Sequence, residues 1–311
     1  MNNPEKRRIC AIGETVYDIL FRNNQPVAAV PGGSSFNSII SIGRTATPCL
    51  FVGYTGDDMV GNQTRQFLQD NGVDTAYFSL RQNEKSAISL AFLDENSDAH
   101  YTFYKDAPRT NPADVLPTMK AGDLMLFGSY YAICQGMRQQ VSAMLQRAKE
   151  NDSIVYYDVN FRSSHQPELP QLMPAIQSNM QASSVVRCSS DDCEVLFGTR
   201  DAALIYEKHI APHCPVFIYT AGAENIHIFT PTARYEYAVP KVDKVVSTVG
   251  AGDNFNAGFL FALVRKGIDK ALVQSLSEAQ WGELVSVASR FASEACKTTD
   301  NYVSVAFAQS V

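Results

Sequence analysis

The chain contains 311 residues, 45% of them hydrophobic, and 26 Lys and Arg against 32 Asp and Glu give it a net charge of −6. This apolar content can fill a sizeable core and excludes a mainly disordered chain, while an acidic chain without a Lys- and Arg-rich block is not expected to bind nucleic acid. At roughly 150 residues per domain, the length allows one large domain or two smaller ones.

Six short runs rich in β-branched and aromatic residues mark predicted strands, and segments with helical periodicity separate most of them. The runs cover residues 8–13, 49–54, 124–128, 154–159, 184–188 and 216–220. This alternation is typical of βαβ units, so it predicts an α/β fold whose mostly parallel sheet has helices on both faces. Later in the chain, apolar residues at helical spacing predict a helix that faces the core: Leu284, Val287, Ala288, Phe291 and Ala295.

Residues 19–30 and 76–104 break the alternation with short mixed runs and turn-prone Asn, Asp and Glu. We interpret them as a small antiparallel sheet apart from the main one, formed by insertions at about 18–31 and 76–106 in a single domain that spans 1–311. Such a sheet can act as a lid that keeps water out of a group-transfer site. The alternative is that these runs form extra edge strands of the main sheet.

The sequence also bears on location and on metal binding. Its longest apolar stretches are far shorter than the ~20 residues that span a bilayer, so we expect no membrane partner. A polar start at residues 1–8 predicts a short leader, and seven scattered cysteines without CxxC spacing favour a reducing compartment, the cytoplasm. Pro212 interrupts the nearest approach to a zinc-binding cluster, His209 with His213 and Cys214, which favours a helix end over a metal site.

Residues 247–260, STVGAGDNFNAGFL, carry the most informative pattern. A strand-like run at 242–246 leads into Gly250, Ala251 and Gly252. Glycines at a strand-to-helix turn let backbone N–H groups approach an anion closely, and a helix N-terminus adds partial positive charge. A phosphate group is therefore expected at this turn.

Asp253 follows these glycines and precedes a helix-compatible run at 254–264. A carboxylate repels phosphate, so its presence suggests a base that takes a proton from an attacking hydroxyl; its alternative role is a helix N-cap. The chain has neither the dinucleotide GxGxxG nor the Walker GxxxxGK[ST] pattern, which argues against the further alternative of an NAD-dependent oxidoreductase.

Several motifs together resemble a known family. Residues 247–259 are similar to DTxGAGDxFxAG, the C-terminal signature of the ribokinase-like sugar kinases, also called the phosphofructokinase B family, and GGSSFN at 32–37 resembles the N-terminal GGxxxN. Residues 53–61 follow the family's GxxGxDxxG arrangement, and Asp18 and DVNFR at 158–162 match further positions. The matches run in family order over nearly the whole chain.

The resemblance implies a ribokinase-like three-layer α/β/α core with a small antiparallel β lid, and transfer of the γ-phosphoryl group of ATP to a sugar hydroxyl. Asp253 matches the catalytic base, and the backbone of Gly250, Ala251 and Gly252 matches the anion hole. The candidate sugar-binding residues are Asp18, Gly32, Gly33, Asn37, Tyr104, Lys105 and Arg162.

Nucleotide contacts implied by the resemblance involve several substitutions of the family pattern. The candidate positions are Ser189, Thr220, Gly222, Asn225, Gly252 and Ser293. Ser189 replaces the Asn of the family's NxxE pattern, in which Asp192 keeps a carboxylate that acts through water on an Mg²⁺ ion held mainly by ATP. Asn225 replaces the last glycine of TxGxxG. Ser247 replaces an Asp that contributes to a monovalent-cation site in some members, so the resemblance does not predict potassium dependence.

The identity of the sugar is the least determined point. GETVYD and PGGSSFN resemble fructokinases and 2-keto-3-deoxygluconate kinases more than ribokinases or adenosine kinases. A carboxylated sugar requires Arg or paired Tyr donors, for which the candidates are Tyr101, Tyr104, Lys105, Arg109 and Arg162. Because Lys105 stands where many such kinases have Arg, we expect fructose, with 2-keto-3-deoxygluconate or another sugar as the alternative.

A catalytically weak sugar or nucleotide sensor on the same fold is the alternative of another class, which the departures at Ser189, Asn225 and Ser247 would fit. Relatives often dimerise through their lids, and Ile88, Leu90 and Phe92 are apolar, so we expect a homodimer formed through the lid.

Overall fold

Two sheets organise the residues that the computed structural model describes, 7–93 and 99–311. Most of the predicted leader (1–6), part of the second predicted insertion (94–98) and the side chain of Tyr101 lie outside the described part. In chain order, the strands are β1 Ile9–Ile12, β2 Val16–Arg22, β3 Gln25–Gly32, β4 Cys49–Gly56, β5 Phe78–Arg81, β6 Ile88–Leu93, β7 Ala99–Tyr104, β8 Leu124–Gly128, β9 Ile154–Asp158, β10 Val185–Ser189, β11 Phe217–Thr220, β12 Asn225–Phe229 and β13 Arg234–Ala238. The α-helices are α1 Ser34–Arg44, α2 Met59–Asp70, α3 Ser129–Ile133, α4 Arg138–Glu150, α5 Leu169–Gln181, α6 Ser190–Phe197, α7 Ala202–Ile205, α8 Ala251–Arg265, α9 Glu278–Ala295 and α10 Val305–Ala308.

The larger sheet has the strand order β13-β12-β11-β10-β9-β8-β1-β4-β5. All pairings from β11 to β5 are parallel, whereas β12 and β13 extend one edge as antiparallel strands. Buried side chains of α1, α8 and α9 pack on one face, and those of α4, α5 and α6 pack on the other. The predicted three-layer α/β/α core is therefore confirmed, and the six predicted strands all belong to its sheet.

The smaller sheet has the strand order β3-β2-β6-β7. β2 pairs with β3, and β6 with β7, in antiparallel fashion, while the central pairing of β2 with β6 is parallel. The predicted small sheet apart from the main one is confirmed, with this one parallel pairing at its centre. Asp18 lies on β2 and Gly32 ends β3, so this sheet carries two candidate sugar-binding residues.

Two assignments made from the sequence are wrong. Phe78–Arg81, inside the second predicted insertion, pairs in parallel with β4 at the edge of the main sheet, as the alternative interpretation allows. It follows β4 through α2 and completes a βαβ unit, but a short alternating run does not reveal which sheet a strand joins. The run at 242–246 is a loop and not a strand, because Val245 and Val246 are exposed and the Val246 N–H donates to the Cys296 carbonyl at 2.8 Å.

The predicted core-facing stripe of α9 is confirmed, since its residues at 284, 288, 291 and 295 are buried. The indole of Trp281 stacks at 6.2 Å on Phe259 of α8, and this contact packs α9 against α8. Within the described ranges, no helix is long and apolar enough to cross a bilayer.

Candidate active site

The GAGD segment forms the N-terminal end of α8, whose first residue is Ala251. Gly250 precedes the helix with φ = 78°, a left-handed conformation that favours glycine. The backbone N–H groups of Gly252 and Asp253 donate to no acceptor among the residues described. Because the first amides of a helix have no intrahelical partner, this end of α8 is suited to hold an anion.

Asp253, the third residue of α8, meets the first turns of α1. Its Oδ1 atom accepts a hydrogen bond from Ser34 Oγ and its Oδ2 atom accepts one from Asn37 Nδ2, both at 2.8 Å. Its main-chain carbonyl accepts a third from Ser38 Oγ, also at 2.8 Å. The alternative role of Asp253 as a helix N-cap is wrong, because Gly250 occupies that position.

The charge state of Asp253 depends on opposing effects. Its pKa is raised to about 6, chiefly by burial and also by the negative charge of Asp158, while hydrogen bonds from Asn37 and Ser34 and the positive charge of Arg162 act in the opposite direction. Such a carboxyl is ionised at neutral pH and still basic enough to accept a proton from a reacting hydroxyl. The geometry and the pKa both suit a general base.

A buried polar network lies behind Gly252. Arg187 of β10 donates to Asp158 at 3.0 Å and to Thr220 at 2.7 Å, and Asn256 of α8 donates to the other Asp158 oxygen at 2.7 Å. The sequence analysis missed Arg187 and Asn256. The signal available was a charged residue among the apolar residues of β10 and an amide directly before the apolar run of α8, since buried polar groups of this kind need partners.

Asp18 faces the start of α1 from the smaller sheet. Its carboxylate accepts a hydrogen bond from Ser89 of β6, and burial raises the pKa of Asp18 to about 6. Its Oδ2 atom lies 2.7 Å from the position that a Cβ atom on Gly32 would take, so the glycine leaves room for this carboxylate. Gly33 follows with φ = 130° and leads into α1. The structure thus brings Asp18, Gly32 and Gly33 together.

Two amide side chains border the same region. Asn37 has a buried Oδ1 atom without a hydrogen-bond partner in the described part of the chain. Asn301, which the sequence analysis missed, places its Nδ2 atom 3.5 Å from the position of a Cβ atom on Gly32. Its main-chain carbonyl accepts from Asn254 of α8 at 2.9 Å, which ties the loop after α9 to the GAGD segment. No local motif marks Asn301, because tertiary packing alone brings it here.

Two cationic candidate residues that follow β7 form ion pairs within the protein. Lys105 pairs with Glu14 at 2.8 Å, and Arg109 pairs with Glu84 at 3.1 Å. These four residues line one cavity, whereas Tyr104 is exposed. Lys105 and Arg109 are therefore each matched with a carboxylate of the protein, and Lys85 also lines the cavity.

The candidate nucleotide residues divide into two groups. Ser189 and Thr220 are paired neighbours at the ends of β10 and β11, next to the network around Arg187. Ser189 Oγ donates to Asp192 Oδ2 at 2.7 Å, and burial raises the pKa of Asp192. In the described residues, no group of three or more His, Cys, Asp or Glu could by itself hold a metal ion, and the imidazole of His213 contacts Gln181 at 3.2 Å.

The second group lies farther along the sheet edge. Gly222 lines a cleft of ≈ 860 Å³ beside β12 and β13, and Asn225 donates a hydrogen bond to Glu236. Ser293 is half-buried on α9. The cleft contains neither Asp253 nor a candidate sugar-binding residue, so the chemistry at the end of α8 defines the candidate site better than cavity size does.

Comparison with known proteins bears on this arrangement. A model described as pfkB family carbohydrate kinase matches residues 6–305. The chain belongs to this family. The pfkB kinase is 28% identical over 279 residues to the aminoimidazole riboside kinase of Salmonella typhimurium, covering 88% of this chain and 86% of that protein. It is 22% identical over 277 residues to the fructokinase of Vibrio alginolyticus, with 88% and 90% covered.

The three-dimensional comparison agrees with the sequence comparison. The crystal structure of aminoimidazole riboside kinase from Salmonella enterica, complexed with aminoimidazole riboside and an ATP analog, matches with a TM-score of 0.81 at 26% identity and covers 96% of both chains. The predicted relationship to ribokinase-like sugar kinases is confirmed, and the pfkB kinase is an ATP-dependent carbohydrate kinase. This membership excludes the NAD-dependent alternative and favours an enzyme over a sensor.

Proposed function

We propose that Asp253 is the general base of this kinase and that the backbone of residues 250–252 forms its anion hole. The observation that carries the proposal is the Asp253 carboxylate, held by Ser34 and Asn37 at the same helix end where two amides have no acceptor in the described part of the chain. A hydroxyl that donates to this carboxylate has its oxygen close to a phosphoryl group bound at these amides.

In the proposed reaction, Asp253 takes the proton of a sugar hydroxyl while the hydroxyl oxygen bonds to the γ-phosphorus of ATP. The bond between that phosphorus and the bridging oxygen breaks, and ADP leaves with the electron pair. The free amides and the positive end of α8 stabilise the charge on the transferring group. Arg187 lies behind Gly252 and is held by Asp158 and Thr220. Asp158 also accepts a hydrogen bond from Asn256 of α8, so this network supports the turn.

We propose that the sugar binds between the smaller sheet and α1, where its hydroxyls pair with carboxylate and amide groups. The residues in this role are Asp18, Gly32, Gly33, Asn37 and Arg162, with Tyr104 and Lys105 at the rim. Because Lys105 and Arg109 are already paired with Glu14 and Glu84, a neutral sugar fits better than a carboxylated one. Fructose is therefore the proposed substrate.

Aminoimidazole riboside is the second candidate substrate. The relative that acts on it is 28% identical to this chain, against 22% for the Vibrio alginolyticus fructokinase. A riboside also offers a pair of neighbouring hydroxyls that a carboxylate and an amide can bind. Neither candidate carries a carboxylate.

We propose that ATP extends from Gly252 across the ends of β10 and β11, with contacts to Ser189, Thr220, Gly222, Asn225 and Ser293. The Asp192 carboxylate beside the Ser189 hydroxyl fits Mg²⁺ that keeps most of its waters and binds mainly to ATP, because this pair offers oxygen ligands but no complete cage. Mg²⁺ bound in this way would neutralise charge on the phosphates.

Three further properties are part of the proposal. The chain is a single kinase domain whose smaller sheet covers the sugar, because Asp18 of β2 belongs to both the sheet and the site. The same sheet exposes Val27, Phe92 and Phe103, which supports a homodimer formed through this lid. All seven cysteines are free thiols, as expected in the cytoplasm.

An ATP-coupled assay over a substrate panel tests the substrate. The panel contains fructose, aminoimidazole riboside, 2-keto-3-deoxygluconate and ribose, each at concentrations that define kcat/KM. We expect fructose to have the highest kcat/KM of the four. The carboxylated sugar, 2-keto-3-deoxygluconate, should have a lower kcat/KM than fructose. If aminoimidazole riboside has a higher kcat/KM than fructose, it becomes the proposed substrate. If none of the four sugars is turned over, both candidate substrates are wrong.

A further inference from the structure

The two oxygens of the Asp253 carboxylate have different neighbours. Asn37, on Oδ2, keeps a second polar atom, the buried Oδ1, without a partner among the described residues and so remains able to bind substrate. Ser34, on Oδ1, directs its hydroxyl at the carboxylate from the first residue of α1. The main-chain carbonyl of Ser34 accepts a hydrogen bond from Ser38 Oγ at 3.2 Å.

The charged groups that face this carboxylate are few. Asp158 of β9 acts to raise the pKa of Asp253, and Arg162, in the loop after β9, acts to lower it. Arg187 of β10 lies behind the helix turn, and its charge is matched by Asp158. Asp18 faces α1 from the smaller sheet. Against this nearly balanced background, one hydrogen bond to a carboxylate oxygen weighs strongly on its basicity.

We infer that Ser34 is a positioning residue that orients the Asp253 carboxylate and sets its basicity. Nothing in the GGxxxN pattern requires a hydroxyl at this position, so the contact is a property of this chain. The inference rests on the proposed role of Asp253 as the base. Because the hydroxyl favours the ionised carboxylate, its removal shifts the ionisation of Asp253 upward in pH while the substrate contacts of Asn37 and Asp18 stay in place.

The test compares the variants S34A, S34T and S38A across pH 5–9 in the full-length enzyme, with the best substrate of the panel. Ser38 donates to the main-chain carbonyl of Asp253 and not to its carboxylate, so S38A is the matched control. For S34A we expect the acidic limb of the kcat profile to move up by about one pH unit, which lowers kcat at pH 6 about fivefold more than at pH 8. S34T restores the hydroxyl and the original limb, and S38A leaves the limb where it is.

A ¹³C NMR titration of the Asp253 carboxyl, assigned by its loss in D253N, gives a readout that does not depend on turnover. It must show the same upward shift in S34A. Equal limbs for S34A and S38A, or a shift that S34T does not reverse, would overturn the inference. Full activity of D253N would instead overturn the proposed function, so the two failures are distinguishable.

Discussion

The guanidinium group of Arg187 lies directly behind the backbone of Gly252, and two of its nitrogens are 3.1 Å from the position that a Cβ atom on residue 252 would take. Arg187 is buried and is held by Asp158 and Thr220. It cannot swing aside without breaking these bonds, so any side chain at residue 252 must push the first turn of α8 away from the network.

Gly252→Ala is therefore expected to lower kcat by about 100-fold or more, because it displaces the amides proposed to stabilise the transferring phosphoryl group. Steady-state assays at saturating ATP and sugar measure the change. Gly267→Ala is the control, at a left-handed glycine with φ = 64° where a Cβ atom would meet no described atom within 4 Å. It should lose about 1 kcal/mol of stability with kcat unchanged. More than a tenth of the wild-type kcat in Gly252→Ala would contradict this account.

The ionised Asp253 carboxylate should lower the free energy of unfolding of the protein. Its pKa is raised from 3.8 to about 6, chiefly by burial, so between these pH values the folded state holds a proton that the unfolded state has released. Folding is consequently weakened by this group as pH rises from about 4 to 6, and the loss persists above pH 6.

Asp253→Asn should thus raise Tm by ~2–4 °C at pH 7.5 and by much less at pH 4. Thermal unfolding across pH 4–8 measures the difference. Asp191→Asn, at a carboxylate whose side chain is 80% exposed, serves as the control with no such trend. If the wild type instead gains stability relative to Asp253→Asn between pH 4 and 6, ionisation of Asp253 stabilises the folded state, contrary to this prediction.

The ion pair between Lys105 and Glu14 should restrict the substrate to neutral sugars. Glu14→Gln frees the ammonium group, so we expect kcat/KM for 2-keto-3-deoxygluconate to rise relative to that for fructose by on the order of tenfold. The substrate panel measures the ratio, with Glu236→Gln, at an exposed carboxylate of β13, as the control. An unchanged ratio would mean that Lys105 does not face the sugar.

Asn301 should affect sugar binding more than chemistry. Its side-chain amide lies beside Gly32, whereas its contact with the GAGD segment is made by its main-chain carbonyl, which the substitution keeps. We expect Asn301→Ala to raise KM for the sugar about tenfold, with KM for ATP unchanged and kcat within about threefold. Thr299→Ala, at an exposed residue of the same loop, is the control. Equal changes in both KM values would assign Asn301 a purely structural role.

The sequence predicted the fold where each strand has its own apolar run, as at Leu124–Gly128, whose bounds agree with the structure. It misplaced Phe78–Arg81, because short alternating runs are alike at a sheet edge and in a lid. The run at 242–246 contains β-branched residues and still forms a loop, since among the described residues it pairs with no strand and its Val246 N–H donates to the Cys296 carbonyl after α9.

The candidate site was predictable where short motifs hold its residues, as for Gly250 and Asp253. The roles of Asn301 and Ser34 became visible only in the structure, because they arise from contacts between elements far apart in the chain. For Arg187 the sequence indicates a buried charge but not its partners. The contact of Ser34 with Asp253, for example, spans 219 positions. Periodicity and spacing describe residues that are close in the sequence and do not predict contacts between residues that are far apart in it.

The rate of phosphoryl transfer in Asp253→Asn tests the central claim most directly. With ATP, Mg²⁺ and the best sugar at pH 8, ADP formation is followed for the wild type, Asp253→Asn and the control Asp70→Asn, at an exposed carboxylate of α2. The account predicts that kcat falls by a factor on the order of 10²–10⁴ in Asp253→Asn, with the control equal to the wild type. An Asp253→Asn enzyme that turns over within a few-fold of the wild type would show that another group takes the proton.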